Sequence, residues 1–96
     1  MTKYMFLSAD NIGNGIHCTA FDSYEEALRA MEISFIKDLQ DGLRIMGVEY
    51  DFPGIPKFRP VDVEAWCEAF LSQDSGIIHF HKSGDEILYQ IQFMEL

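Results

Sequence analysis

The chain has 96 residues, enough for one folded domain and too few for two. Apolar residues make up 48% of it and charged residues 24%, a composition that excludes a disordered chain. Its 16 acidic and 7 basic residues give a net charge of −9, which repels the phosphates of nucleic acids and of anionic membranes, so we expect neither as a direct partner.

We expect a cytoplasmic protein with reduced thiols. The apolar run near the N-terminus stops at Asp10, which makes it too short for a secretory signal or a membrane span. Two cysteines, Cys18 and Cys67, are too few for a disulfide scaffold. Both lie in segments with core-like patterning, so we expect both thiols to be buried.

A β-hairpin is predicted at the start of the chain. Residues 3–8 are rich in strand-forming side chains, and the turn residues of ADNIGNG follow them. In the next segment, residues 16–21, the side chains of Ile16, Cys18 and Ala20 share one side of an alternating pattern. A period of two predicts a second strand here.

Residues 22–42 carry the pattern of an amphipathic helix. Asp22 or Ser23 can cap the first free amides. A glutamate three residues on, at position 25 or 26, completes a capping box. Apolar side chains then recur at helical spacing, at Tyr24, Leu28, Met31, Phe35 and Leu39. We expect Gly42 to end this helix, because glycine readily adopts the left-handed conformation of a helix C-terminus.

The connection over residues 43–60 is the first candidate interaction site. The segment VEYDF suits a short strand, and the prolines that follow stiffen the chain. Tyr50, Phe52 and Phe58 are aromatic side chains of the kind that anchor protein interfaces, here on a long loop. The alternative is that these rings cover the open end of the core, since aromatic side chains bury large areas.

A second helix is predicted from the segment VDVEAWCEAFLSQDSG. Its apolar side chains at helical spacing are Val63, Trp66, Cys67, Phe70 and Leu71. Asp62, Glu64 and Glu68 face away from that stripe and would form an acidic surface suited to a basic partner. The alternative is a solvated helix face whose charges keep a small protein soluble.

The last twenty residues predict a second hairpin, with apolar residues on one face and His79 and His81 on the other. A two-residue turn at Ser83 and Gly84 joins the two apolar faces, and so does a four-residue loop. A three-residue loop would mix the faces and is excluded. In the two-residue register, Glu86 lies across from His81.

These elements predict an α+β fold in a single domain over residues 1–96. We expect a two-layer sandwich in which an antiparallel sheet of four to five strands carries two helices on one face. The predicted order along the chain is ββα(β)αββ, where the bracketed strand is the short VEYDF segment.

His79, His81 and Glu86 form a candidate metal site. Same-face neighbours on a strand lie about 6.5–7 Å apart, so two imidazoles can converge on one zinc ion, with Glu86 as the third ligand. His17 could join if the first hairpin lies alongside. The alternative is a solvent-exposed histidine pair beside a glutamate, with no cofactor bound.

No catalytic constellation emerges from the sequence, and we expect no enzymatic activity. His17 and Cys18 are neighbours on a strand and therefore point to opposite faces, so they cannot form a nucleophile–base pair. Gly13 and Gly15 resemble part of a dinucleotide-binding loop, but a strand follows them where that loop requires a helix.

Three functions remain as hypotheses. The first is a small, acidic, non-catalytic protein-interaction domain, which self-associates if the C-terminal hairpin leaves an open sheet edge. The second is a nucleic-acid mimic that inhibits a nucleic-acid-binding protein through its carboxylates. The third is metal or small-ligand binding at the strand face of His79 and His81.

Overall fold

The computed structural model describes residues 2–13, 15–47, 59–62 and 67–95, with residues 59–62 described by their backbone. The elements in chain order are β1 (Thr2–Asp10), β2 (Ile16–Phe21), α1 (Tyr24–Ile45), β3 (Arg59–Asp62), β4 (Cys67–Leu71), β5 (Ser75–Phe80) and β6 (Glu86–Glu95). All neighbouring strands pair antiparallel in one six-stranded sheet with the order β2-β1-β6-β5-β4-β3. The expected α+β class is confirmed.

Helix α1 begins where the sequence predicts. Ser23 is the N-cap, and the backbone N–H of Glu26 donates to Ser23 Oγ at 3.2 Å. The helix ends later than predicted, with Met46 as its C-cap and Gly47 following in the left-handed region at φ 80°. The expectation that Gly42 ends the helix is therefore wrong, because the helix passes through it.

Gly42 instead allows α1 to approach the sheet. A Cβ atom at this position would lie 2.6 Å from Phe80 Cε1 and closer still to Phe80 Cζ. The hydrogen atom of glycine leaves room for the ring, which is 4% exposed. The glycine thus serves packing rather than helix termination.

The predicted second helix is wrong over residues 67–71, which form strand β4. The side chains of Cys67, Ala69 and Leu71 are buried, whereas Glu68 and Phe70 are exposed. Five residues are too few to separate this alternation from a helical stripe by pattern alone. Pairing decides the conformation, because β4 lies between β3 and β5 and forms ladders with both. Val63, Glu64 and Trp66 lie outside the described residues.

The core lies between α1 and one face of the sheet. Its apolar members are Phe6, Ala27, Met31, Phe35, Leu39, Leu43, Cys67, Ala69, Leu71, Ile78, Phe80, Tyr89 and Ile91. The helix contacts β1, β2, β4, β5 and β6. Along its shortest axis the molecule measures 16 Å between Cα atoms, consistent with two layers. Within the described parts of the chain, α1 is the only helix, not one of two as predicted.

In the last hairpin, apolar residues share one face and the histidines lie on the other, as predicted, but the cross-strand pairs differ from those of the two-residue turn. Ile78 pairs with Ile87 and His79 pairs with Glu86. The turn is the four-residue alternative, residues 81–84, with the N–H of Phe80 donating to Asp85 O at 2.9 Å. Strand β6 lies inside the sheet between β1 and β5, so the hairpin does not form the open edge that we expected.

Tyr89 connects the two layers through a polar contact. Its side chain is 2% exposed, and its hydroxyl donates to Asp38 Oδ2 on α1 at 2.6 Å. Burial raises the pKa of Tyr89 far above the ordinary value of 10.0, and the hydrogen bond and the negative charge of Asp38 raise it further. The phenol therefore keeps its proton in the folded state at alkaline pH.

We expect Gly42→Ala to lower the free energy of unfolding by up to about 2 kcal/mol, because overpacking against Phe80 costs about 1–3 kcal/mol and the helix gains roughly 1 kcal/mol from alanine. Urea denaturation measures this change. The control is Phe80→Leu, which removes the clashing ring atoms, so the double variant should lose less stability than the two single variants together. A stabilised Gly42→Ala protein would contradict the packing role.

We expect Tyr89→Phe to cost about 1–2 kcal/mol near neutral pH, because Asp38 loses a hydrogen bond to its charged carboxylate. The stability that the raised pKa provides is fully present below pH 10.0, the unfolded value, and is lost as the pH rises above it. The difference between wild type and variant should therefore shrink above that pH. Denaturation across the alkaline range checks this, and a constant difference would contradict it.

Candidate interaction surface

The sheet face opposite α1, here called the outer face, carries a continuous line of apolar side chains. Ile16, Ala9, Leu88, Ile77 and Phe70 are successive register partners on β2, β1, β6, β5 and β4. We call these five residues the apolar row. Ile16 is 75% exposed, Leu88 49% and Phe70 39%. Large apolar side chains this exposed and this contiguous are typical of an interaction surface.

The apolar row exists because each central strand carries at least one apolar side chain on the face away from α1. On β6, the buried side chains of Tyr89 and Ile91 point toward α1, whereas Leu88 points the other way. On β1, Phe6 is buried, while Leu7 and Met5 on the opposite parity are half-buried. An antiparallel sheet commonly has one face in water, and polar side chains are expected on that face, so exposed apolar side chains there are unusual. Among the described residues, α1 covers only one face of this sheet.

Histidines and glutamates lie beside the apolar row, at the next positions on the same face, two residues along each strand. Glu68, His79 and Glu86 are successive partners on β4, β5 and β6. His79 Nδ1 lies 3.3 Å from Glu86 Oε2, and His81 Nε2 lies 3.7 Å from Glu68 Oε1. Glu86 is therefore opposite His79, not opposite His81 as the two-residue turn predicted.

The histidine geometry differs from the predicted metal site. The rings of His79 and His81 are 5.7 Å apart between centroids, but they contact different glutamates. Within the described ranges, no three His, Cys, Asp or Glu side chains are grouped so that they could hold a metal ion. His17 cannot join them, because β1 and β6 separate its strand from β5 and its register partner Ser8 lies on the α1 side.

The two cysteines are in different environments. Cys67 is buried as expected, although on a strand rather than on a helix. Cys18 is exposed, which contradicts the expected burial. Its register partner is Leu7, so the thiol lies on the outer face at the edge of the sheet. The alternating pattern correctly grouped Cys18 with Ile16 and Ala20, but it did not show that this side of the strand faces away from α1.

The other predicted interaction residues are only partly described. Tyr50, Phe52, Phe58 and Glu64 lie outside the described residues. Asp62 and Glu68, expected on one side of a helix, are instead cross-strand partners on β3 and β4. The helical acidic surface that motivated the nucleic-acid mimic is therefore not present at these two positions.

In comparisons with known proteins, the chain matches no protein-family model, no curated protein and no solved structure. In the described part of the chain, no helix combines the length and the apolar composition that a bilayer span requires. The apolar row, which sequence reasoning missed, has one recognisable signal: Leu88 is an apolar residue between Ile87 and Tyr89, on the parity of β6 that also carries Gln90 and Gln92.

The metal prediction can be tested by calorimetric titration with zinc. Because His79 and His81 contact separate glutamates, we expect wild type and the double variant His79→Ala, His81→Ala to release the same heat. A binding isotherm that the double variant loses would establish the predicted metal site and contradict this expectation.

Proposed function

We propose that this chain is a non-catalytic protein-interaction domain that self-associates by packing the outer faces of two copies against each other. The observation that carries the proposal is the apolar row, which crosses five strands with no covering layer among the described residues. Exposed apolar side chains gain free energy when a partner removes them from water, at about 25 cal/mol per Å².

The size of the outer face suits a protein partner. Five strands spaced about 4.8 Å apart and roughly 20–30 Å long present on the order of 500–700 Å². A stable protein interface buries about 800 Å² on each partner. Small-molecule sites are concave instead. A flat surface of this area therefore fits another sheet better than a small ligand.

The charge distribution favours a second copy. The chain as a whole carries −9, but the register of the described strands places only three acidic residues on the outer face: Glu68 and Glu86, each beside a histidine, and Asp62, the cross-strand partner of Glu68 on β3. A two-fold axis through the apolar row keeps apolar side chains opposite apolar side chains. Repulsion between the remaining acids opposes the dimer and is screened by salt.

This charge argument separates self-association from binding of a basic partner. Salt screens the repulsion between two acidic copies, so self-association should tighten as salt rises. A complex with a basic protein depends on attraction between opposite charges and should weaken under the same conditions.

We expect Leu88→Lys to weaken self-association at least tenfold, because it replaces the central side chain of the apolar row with a charge that the dimer would bury. Sedimentation equilibrium measures the dissociation constant, and light scattering should give a wild-type mass above the 11.0 kDa of one chain.

The matched control is Ile33→Lys, which changes an equally exposed apolar side chain on α1, away from the outer face. Its dissociation constant should equal that of wild type. A wild-type protein that stays monomeric at high concentration and high salt would refute the proposal, as would equal weakening by both substitutions.

A further inference from the structure

We infer that this protein has a second self-association surface, the free edge of β2, which pairs antiparallel with β2 of another copy in a register centred on Cys18. The two sheets would then form one continuous sheet. This contact uses backbone groups at the sheet edge, so it is separate from outer-face packing and does not depend on it.

Strand β2 is an edge strand that offers its backbone to a partner. It is the first strand in the sheet order and pairs with β1 on one side. Residues 16–20 are exposed, and Phe21 is half-buried. Along its other side, no described strand accepts the N–H groups or donates to the C=O groups. An unpaired row of this kind is a template for another strand.

The two edges of the sheet differ in how they resist such pairing. Strand β3, at the opposite edge, has the sequence RPVD. Its proline lacks an N–H group, and its two charged residues discourage close approach of another strand. Strand β2 has the sequence IHCTAF, with no proline, lysine or acidic residue. Only the β3 edge carries the usual protection.

The symmetry of antiparallel pairing fixes which residues meet. A two-fold axis perpendicular to the sheet pairs two copies of β2 and leaves both outer faces on the same side. The exposed stretch, residues 16–20, has Cys18 at its midpoint. Centring the axis there places Ile16 opposite Ala20 and His17 opposite Thr19 of the other copy. No like charges meet, and apolar side chains face apolar ones on the outer face.

This pairing would extend the apolar row. Ile16 ends the row in one copy, and its new partner Ala20 is paired with Met5 inside the second copy. The outer faces of two copies therefore lie side by side and form a surface about twice as large. Both helices lie on the other side of the joined sheet, where they do not obstruct the contact.

Cys18 makes the proposed register measurable. In this register the two Cys18 residues are direct cross-strand partners, about 4.5–5.5 Å apart at Cα, within the range of a disulfide. Copies packed through their outer faces would hold the two strands about 10 Å apart, which is too far. Cys67 is buried and does not compete.

The experiment is oxidation of the wild-type protein with diamide, followed by intact mass measurement without reductant. Diamide accepts the two hydrogens that the thiols lose when the S–S bond forms. We expect a disulfide-linked dimer joined at Cys18, formed at least tenfold faster than in the control Cys18→Ser, Ile33→Cys, whose thiol sits at an exposed position on α1. Equal rates in the two proteins would overturn the inference.

Two further variants identify the surface. His17→Lys with Thr19→Lys places lysines at the β2 edge on the α1 side of the sheet, so it should slow crosslinking at least tenfold without touching the outer face. Leu88→Lys should leave crosslinking at its wild-type rate even where it abolishes outer-face packing. If Leu88→Lys abolishes crosslinking while the His17→Lys, Thr19→Lys variant retains it, the edge contact is refuted. Circular dichroism confirms that each variant is folded.

Discussion

The contact between α1 and one face of the sheet is the constraint on which the rest of this structure depends. Met31, Phe35 and Leu39 of the helix are fully buried against the strands, and each such side chain contributes about 1.5–3 kcal/mol. Gly42 brings the helix close enough for Phe80 to fill the space beneath it. A helix of 22 residues is about 33 Å long and can cover one face of the sheet, not two.

The uncovered face follows directly from that constraint. Strand β1 carries apolar side chains on both faces and β6 carries Leu88 on the outer face, so α1 buries one set of side chains while Met5 and Leu7 stay half-buried and Leu88 stays exposed. The proposed second copy would cover this face. Of the acidic side chains that the structure describes, most lie away from this face, although the chain carries −9 as a whole.

The two edge strands of the sheet also differ in the residues that discourage pairing with another strand. Proline and charged residues protect β3, whereas β2 has neither. A face and an edge that both accept a second copy would together favour a closed assembly with two kinds of two-fold contact. The face contact depends on side-chain burial and the edge contact on backbone hydrogen bonds, so substitutions can remove either one alone.

The sequence by itself determined the features whose signals are local: the first hairpin, the start of α1 at Ser23, and the inward and outward parity of the final strands. Caps, turn residues and periods of two or 3.6 act over a few residues, so they can be recognised without a partner. Tertiary pairing decided the rest. Residues 67–71 became a strand because neighbours on both sides complete its backbone hydrogen bonds, and Gly42 became a packing site because Phe80 lies against it. Exposure of Cys18 and Leu88 depends on which face α1 covers, and no local pattern contains that information.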